Sequence, residues 1–262
     1  MTRDLGIPTL LERPDILSSA ALCAELGFGF VELNANLPQF ADPDAVDRRA
    51  LRRAAQELGV GFTLHLDERL DACDFNPRVR GAWRDTFRRA LELAAEAEMP
   101  LVNLHLSLGV YFTLPQGRAY LYEREGARFL AGLEALRDLA EREAPAGLAV
   151  CVENTGGFPA FAREGLERLL KSPRFGLTLD VGHLCAAGNA DADFFAAHAD
   201  RLRHSHMHLH DCRGGQDHLP LGAGALDWRG ALALARARGV RAVVEVKTEA
   251  ALRASARAIR EL

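Results

Sequence analysis

The feature that most constrains the fold is an alternation that runs the whole length of the chain. Eight short, largely apolar runs are separated by longer amphipathic stretches: "LGIPT" (5–9), "FVELNA" (30–35), "GFTLHL" (61–66), "LVNLHL" (101–106), "LAVCVEN" (148–154), "FGLTLDV" (175–181), "LRHSHMHL" (202–209) and "AVVEVK" (242–247). Runs of this kind suit strands covered on both faces, and helices are what join parallel strands. The stretches between them carry helix signals. In "DAVDRRALRRAAQELG", Val46, Leu51, Ala54, Ala55 and Leu58 recur at helical spacing. Asn76 and Pro77 supply a cap and a first-turn proline for another helix, and Gly27 and Gly59 follow helical runs, where a C-cap glycine belongs. Such barrels run to about 250 residues as one domain, so eight units in 262 residues predict a closed (β/α)8 TIM barrel rather than an open doubly wound sheet. No Pro/Ser-rich linker divides the chain, and residues 1–262 are expected to form a single domain.

Charge and composition narrow the function classes. The net charge is -4, with acids and bases interleaved and no dense Lys/Arg block. That disfavours nucleic acid as a partner and leaves a small-molecule substrate as the simplest expectation. No segment reaches the roughly 18 consecutive apolar residues of a membrane span. The N-terminal "MTRDLGIPTLLERPD" lacks the apolar stretch of a signal peptide. The cysteines (23, 73, 151, 185 and 212) are odd in number, scattered and free of any CxxC pair. Reduced thiols in a cytoplasmic protein are therefore expected.

In a barrel of this type the active site lies at the C-terminal ends of the strands. Polar residues gather there: Glu32 and Asn34 on strand two, His65 and Asp67 on three, His105 on four, Glu153 and Asn154 on five, Asp180 and then His183 on six. Strand seven supplies His208, with His218 in the loop after it, and strand eight supplies Glu245. A buried carboxylate or imidazole needs compensation. Several converging on one end are best compensated by divalent cations, and mixed imidazole and carboxylate ligands suit Zn, Mn, Fe or Co. His204, His206, His208 and His210 alternate on one strand. His208 is the expected ligand. His206 and His204 lie deeper on its face, as orienting or layer-filling residues, and His204 and His210 are expected to be hydrogen-bonded or surface rings.

Together these residues resemble the xylose isomerase-like TIM-barrel superfamily, which includes sugar and sugar-phosphate isomerases and epimerases and the apurinic-site endonucleases related to endonuclease IV. The resemblance rests on "VENTGG" (152–157), "LDVGH" (179–183), "HLHD" (208–211) followed by "DHLPLGAG" (217–224), and "VVEV" (243–246). The isomerase/epimerase pattern implies a metal held by Glu153, Asp180, His208 and Glu245. It also implies Glu153 and Glu245 as acid and base on either side of the substrate carbon, with His183 on a substrate oxygen. The endonuclease pattern implies further ligation by His65, His105, His183 and His218. The endonucleases place an aspartate two residues before the loop histidine, where this chain has Gln216, with Asp217 one residue later. That argues against a trinuclear site and leaves one or two ions.

Two activities follow. The first is a metal-dependent isomerase or epimerase of a small sugar, sugar phosphate or related polyhydroxy compound, with an enediolate stabilised by the ion and paired glutamates moving the proton. The alternative is a metal-dependent phosphoester hydrolase. Asn34, His65, His105, Arg213 and Lys247 are the candidate substrate contacts, the last two for an anionic group. The long loop 107–126, with Tyr111, Phe112, Tyr120 and Tyr122, suits a cover over the mouth, a homodimer contact, or a loop packed on its own side chains.

Overall fold

The computed structural model describes residues 2–202 and 206–262. His204, assigned above to a hydrogen-bonded or surface position, lies outside the described residues. Eight described strands, all parallel, close a barrel in sequence order: β1 (Thr2–Pro8), β2 (Phe28–Asn34), β3 (Gly61–His65), β4 (Leu101–His105), β5 (Ala149–Glu153), β6 (Phe175–Asp180), β7 (His206–Leu209) and β8 (Arg241–Val244). The predicted (β/α)8 barrel is the observed architecture. Its main core lies between the strands and the surrounding helices, and a smaller cluster of Leu101, Ala149 and Cys151 fills β4 and β5 near their N-terminal ends.

The helices begin and end where the sequence signals stand. Asp15 caps Ile16–Leu26 through Ser18 N, Asp47 caps Arg48–Leu58, and Asn76 caps Pro77–Glu96 with Pro77 in the first turn. Gly27 and Gly59 close the first two with φ of 77° and 65°, a left-handed conformation that glycine adopts without a Cβ penalty.

Two antiparallel hairpins interrupt the simple β/α repeat at the C-terminal end. One pairs Tyr111–Leu114 with Gly117–Tyr120, and the other pairs Asp211–Arg213 with Gln216–Leu219. In the first, Tyr111 and Phe112 are exposed, whereas Tyr122 beyond it is buried and donates its hydroxyl to Asp71 Oδ2 at 2.7 Å. The expectation of five reduced thiols needs correction: Cys185 and Cys212 form a disulfide, and Cys23, Cys73 and Cys151 are free and buried. The bond joins the short helix Val181–Ala186 to the second hairpin. Sequence spacing could not reveal it, because the two cysteines meet only through the packing of separate loops.

Strand register sets the site. Neighbours across the sheet place Asn34 beside His65, His105 beside Glu153, and Asp180 beside His208. Alternate residues of a strand share a face. The inward positions therefore climb from small or apolar groups to ionisable ones, as in Leu101, Asn103, His105 and in Ala149, Cys151, Glu153.

Candidate metal centre and active site

Glu153, Asp180, His208 and Glu245 converge at the C-terminal end of the barrel, their facing oxygen and nitrogen atoms all within 4.8 Å of one another. Glu153, Asp180 and His208 are essentially inaccessible, and Glu245 is nearly so. The His208 ring is central: Nδ1 lies 2.7 Å from Glu245 Oε2, 3.2 Å from Glu153 Oε1 and 3.7 Å from Asp180 Oδ2. Glu153 Oε1, Glu245 Oε2 and His208 Nδ1 are buried yet have no hydrogen-bond partner. Two of the three carboxylates and the ring nitrogen thus turn unsatisfied atoms inward, while Asp180 is held by His183 N–H and the His210 ring, and the four together form a donor set that fits a divalent cation.

Local chain geometry builds this set. Asp180 ends β6 and caps the next helix, its Oδ1 accepting from His183 N at 2.6 Å. Asn154 brackets the Asp180 backbone from both sides, accepting from its N–H and donating to its C=O, each at 2.9 Å. Gly182 is required: a Cβ there would run into the His210 ring. Asp211 organises the following loop, its carboxylate accepting from the backbone N–H groups of Cys212, Gly222 and Leu226. Asn103 donates to Glu153 Oε2 at 2.6 Å.

The electrostatics are those of a concentrated anion cluster held by imidazoles. Burial alone would raise the carboxyl of Glu153, but the rings of His208 and His105 outweigh it and keep it well below the usual carboxylate range. Glu245 behaves in the same way, with His208, His218 and Lys247 opposing the burial. Burial would lower His65 and His183, but Glu153 beside both, joined by Asp180 at His183, pushes each up to about 9.

The remaining predicted residues divide into two groups. His65 and His105 stand together on one side, their Nε2 atoms 3.2 and 3.4 Å from the same oxygen, Glu153 Oε2. His183 and His218 gather on the other side with His210. The four therefore form two clusters flanking the quartet rather than one. A cavity of about 570 Å³ opens above, with Asn34, His65, His105, His183, His218, Glu245 and Lys247 in its wall. Lys247 Nζ donates to Glu245 Oε1 at 2.8 Å. Arg213 is an exposed residue of the second hairpin and is not part of that wall. From loop 107–126, Ser107, Leu108 and Gly109 reach the cavity, whereas the exposed aromatic residues of the hairpin are not in its wall. His210 is buried and hydrogen-bonded to Asp180 at 3.0 Å. The sequence reading gave no role to Glu32, Asn103 or Asp211; the available signal was a polar residue on the inward face of an otherwise apolar strand.

Residues 20–262 match the Xylose isomerase-like TIM barrel family, and the chain belongs to it. No curated protein matches the sequence. Among solved structures, the fold is similar to a D-tagatose 3-epimerase-like protein (TM-score 0.75, 23% identity, 98% of this chain and 96% of that one). It is also similar to the 3-keto-D-glucoside 4-epimerase of E. coli (TM-score 0.75, 20% identity, 99% and 98%). A third likeness is to the IolI protein solved with a zinc atom (TM-score 0.70, 16% identity, 98% and 96%). No described helix is long and apolar enough to cross a membrane.

Proposed function

We propose that this protein is a divalent-metal-dependent isomerase or epimerase of a small sugar, sugar phosphate or related polyhydroxy compound. The observation that carries the reading is the buried quartet of Glu153, Asp180, His208 and Glu245, with inward-facing atoms left unpartnered beneath an open polar cavity. The epimerases among the structural neighbours agree with it. A Zn, Mn, Fe or Co ion bound there would supply Lewis acidity to a substrate carbonyl and its neighbouring hydroxyl.

The chain supplies the rest. Glu245, in the cavity wall, takes and returns the proton of the substrate carbon at one of its carboxylate oxygens, and His208, with His218 and Lys247, keeps that carboxylate ionised. Glu153 serves the opposite face of the carbon, with Asn103 and His65 fixing its Oε2. His183 donates Nδ1–H to the Asn154 carbonyl at 3.0 Å, so its Nε2 is the atom left for a substrate oxygen. Asn34, His65 and His105 line the wall where hydroxyls would be held, and Lys247 is the wall's cation for an anionic group.

The test is solvent exchange. Protein loaded with Mn²⁺ is incubated in D2O with a panel of free and phosphorylated ketoses, and deuterium at the carbon next to the carbonyl is read by NMR. Exchange that disappears in Glu245→Gln supports the reading; absence of exchange and epimerisation across the panel rejects it.

A second reading, a phosphoester hydrolase, is favoured by one specific arrangement. His65, His105 and Glu153 form a three-ligand cluster that shares Glu153 with the quartet, as a site with two ions requires. Two ions per chain together with turnover of a phosphodiester would select it.

A further inference from the structure

Deep to the quartet, two buried side chains have no part in the reaction described above: Glu32 on β2 and His206 at the start of β7. They form a triangle with His208. Glu32 Oε1 lies 2.8 Å from His206 Nε2, Glu32 Oε2 lies 3.0 Å from His208 Nε2, and the two Nε2 atoms are 3.1 Å apart. β2 and β7 are not neighbours, since β1 and β8 stand between them. Glu32 therefore meets the two rings across the barrel interior rather than along the sheet.

The two edges of the His208 ring face different surroundings. Nδ1 faces the carboxylates of Glu153, Asp180 and Glu245, and among the described residues Nε2 faces Glu32 and His206. A neutral imidazole has one N–H and one lone pair. If the ring ligates through Nδ1, its proton must sit on Nε2, and a buried N–H needs an acceptor. Of the two groups there, an ionised carboxylate accepts without competing, whereas His206 has its own ring proton to place. Both Nε2–H groups are served at once when each takes one oxygen of Glu32.

We propose that Glu32 is the positioning residue of the metal centre. It takes the Nε2–H of His208, leaves the Nδ1 lone pair turned toward the three carboxylates, and is itself braced by His206. This rests on the reading of Glu153, Asp180, His208 and Glu245 as metal ligands. A partner of this kind fixes which ring nitrogen ligates and raises its basicity, and its loss costs about 10- to 100-fold in metal affinity.

Zinc affinity is measured by chelator competition on the full chain and on Glu32→Gln, with circular dichroism to establish that the variant is folded. The expected result is zinc binding weakened about 10- to 100-fold, together with a smaller gain in melting temperature on adding zinc. A merely structural role would lower the melting temperature equally with and without zinc. Folded Glu32→Gln that binds zinc as tightly as the wild type overturns the proposal. Should the variant fail to fold, the wild type decides alone. Long-range proton–nitrogen correlation on labelled, zinc-loaded protein, with the His208 signal identified by its loss in His208→Asn, should place the ring proton on Nε2. A proton on Nδ1 overturns the proposal. Wild-type protein that binds no zinc instead overturns the metal-centre reading beneath it, so the two failures are distinct.

Discussion

Two groups of imidazoles flank the same four residues, the proposed ligands, and they are not equivalent. On one flank His65 and His105 meet edge to face, ring centroids 4.8 Å apart, both with Nε2 turned to Glu153 Oε2. Among the described residues one of their ring nitrogens has a backbone partner: His65 Nδ1 donates to the Leu66 carbonyl at 2.8 Å. On the other flank His183, His210 and His218 are as tightly packed, with His210 and His218 stacked at 4.2 Å. Their nitrogens are mostly committed. His210 Nδ1 accepts the His218 backbone N–H at 2.8 Å, which places its proton on Nε2, toward Asp180. His183 Nδ1 bonds to the Asn154 carbonyl, and His218 Nδ1 lies 2.8 Å from Asp217 Oδ1. His218 even adopts a positive φ of 54°, which turns its N–H to that task. Three rings within ligating distance do not make a ligand set when one of them, His210, has both nitrogens committed; His183 and His218 donate from Nδ1 and keep the Nε2 lone pair. The first flank can share Glu153 with a second ion, whereas the second braces Asp180 through His210 and leaves the Nε2 of His183 for substrate.

The largest effect tests the centre that both flanks share. Glu245→Gln should lose bound metal to background and slow proton exchange by on the order of 10³-fold, read by elemental analysis and deuterium incorporation. Unchanged metal content would remove the quartet from consideration.

The next effect separates the flanks. His105→Gln should retain one ion per chain and raise KM about 10-fold, the worth of about one hydrogen bond to substrate. A variant that instead loses one of two ions moves the protein to the hydrolase reading. His218→Asn should change KM and metal content by less than about 3-fold, because asparagine tolerates a left-handed backbone and keeps the N–H that reaches His210. A large loss of metal there would show that the second flank ligates after all.

How much of this was legible in the sequence follows from what each residue depends on. The barrel could be read because strand and helix periods are local, and the caps at Asn76, Gly27 and Gly59 agreed with them. The convergence of Glu153, Asp180, His208 and Glu245 was legible because the ends of barrel strands meet at one rim. The split of His65 and His105 from His183 and His218 was not, since it depends on which side of the barrel each strand occupies and on hydrogen bonds made there. The Cys185–Cys212 bond and the contact of Glu32 with His206 and His208 were hidden for the same reason: each joins elements distant in sequence.

The smallest effect is one of pH, and both flanks contribute. In the metal-free protein His65 and His183 are raised from 6.5 to about 9, against the pull of burial, chiefly by Glu153. A group whose folded pKa lies above its unfolded value contributes stability that is fully present below the unfolded value and is lost as pH rises through the folded one. Metal-free protein should therefore lose a few degrees of melting temperature between pH 6.5 and 9. Bound metal neutralises Glu153 and removes the reason for the raised values, so the zinc-loaded protein should melt almost independently of pH across that window. His65→Gln and His183→Gln should each flatten part of the metal-free slope, which compares the flanks, while His208 and His210, also raised by neighbouring carboxylates, carry the rest. A metal-free melting profile already flat from pH 6.5 to 9 would mean that neither ring carries a proton there, and that Glu153 is balanced by His208 and His105 alone.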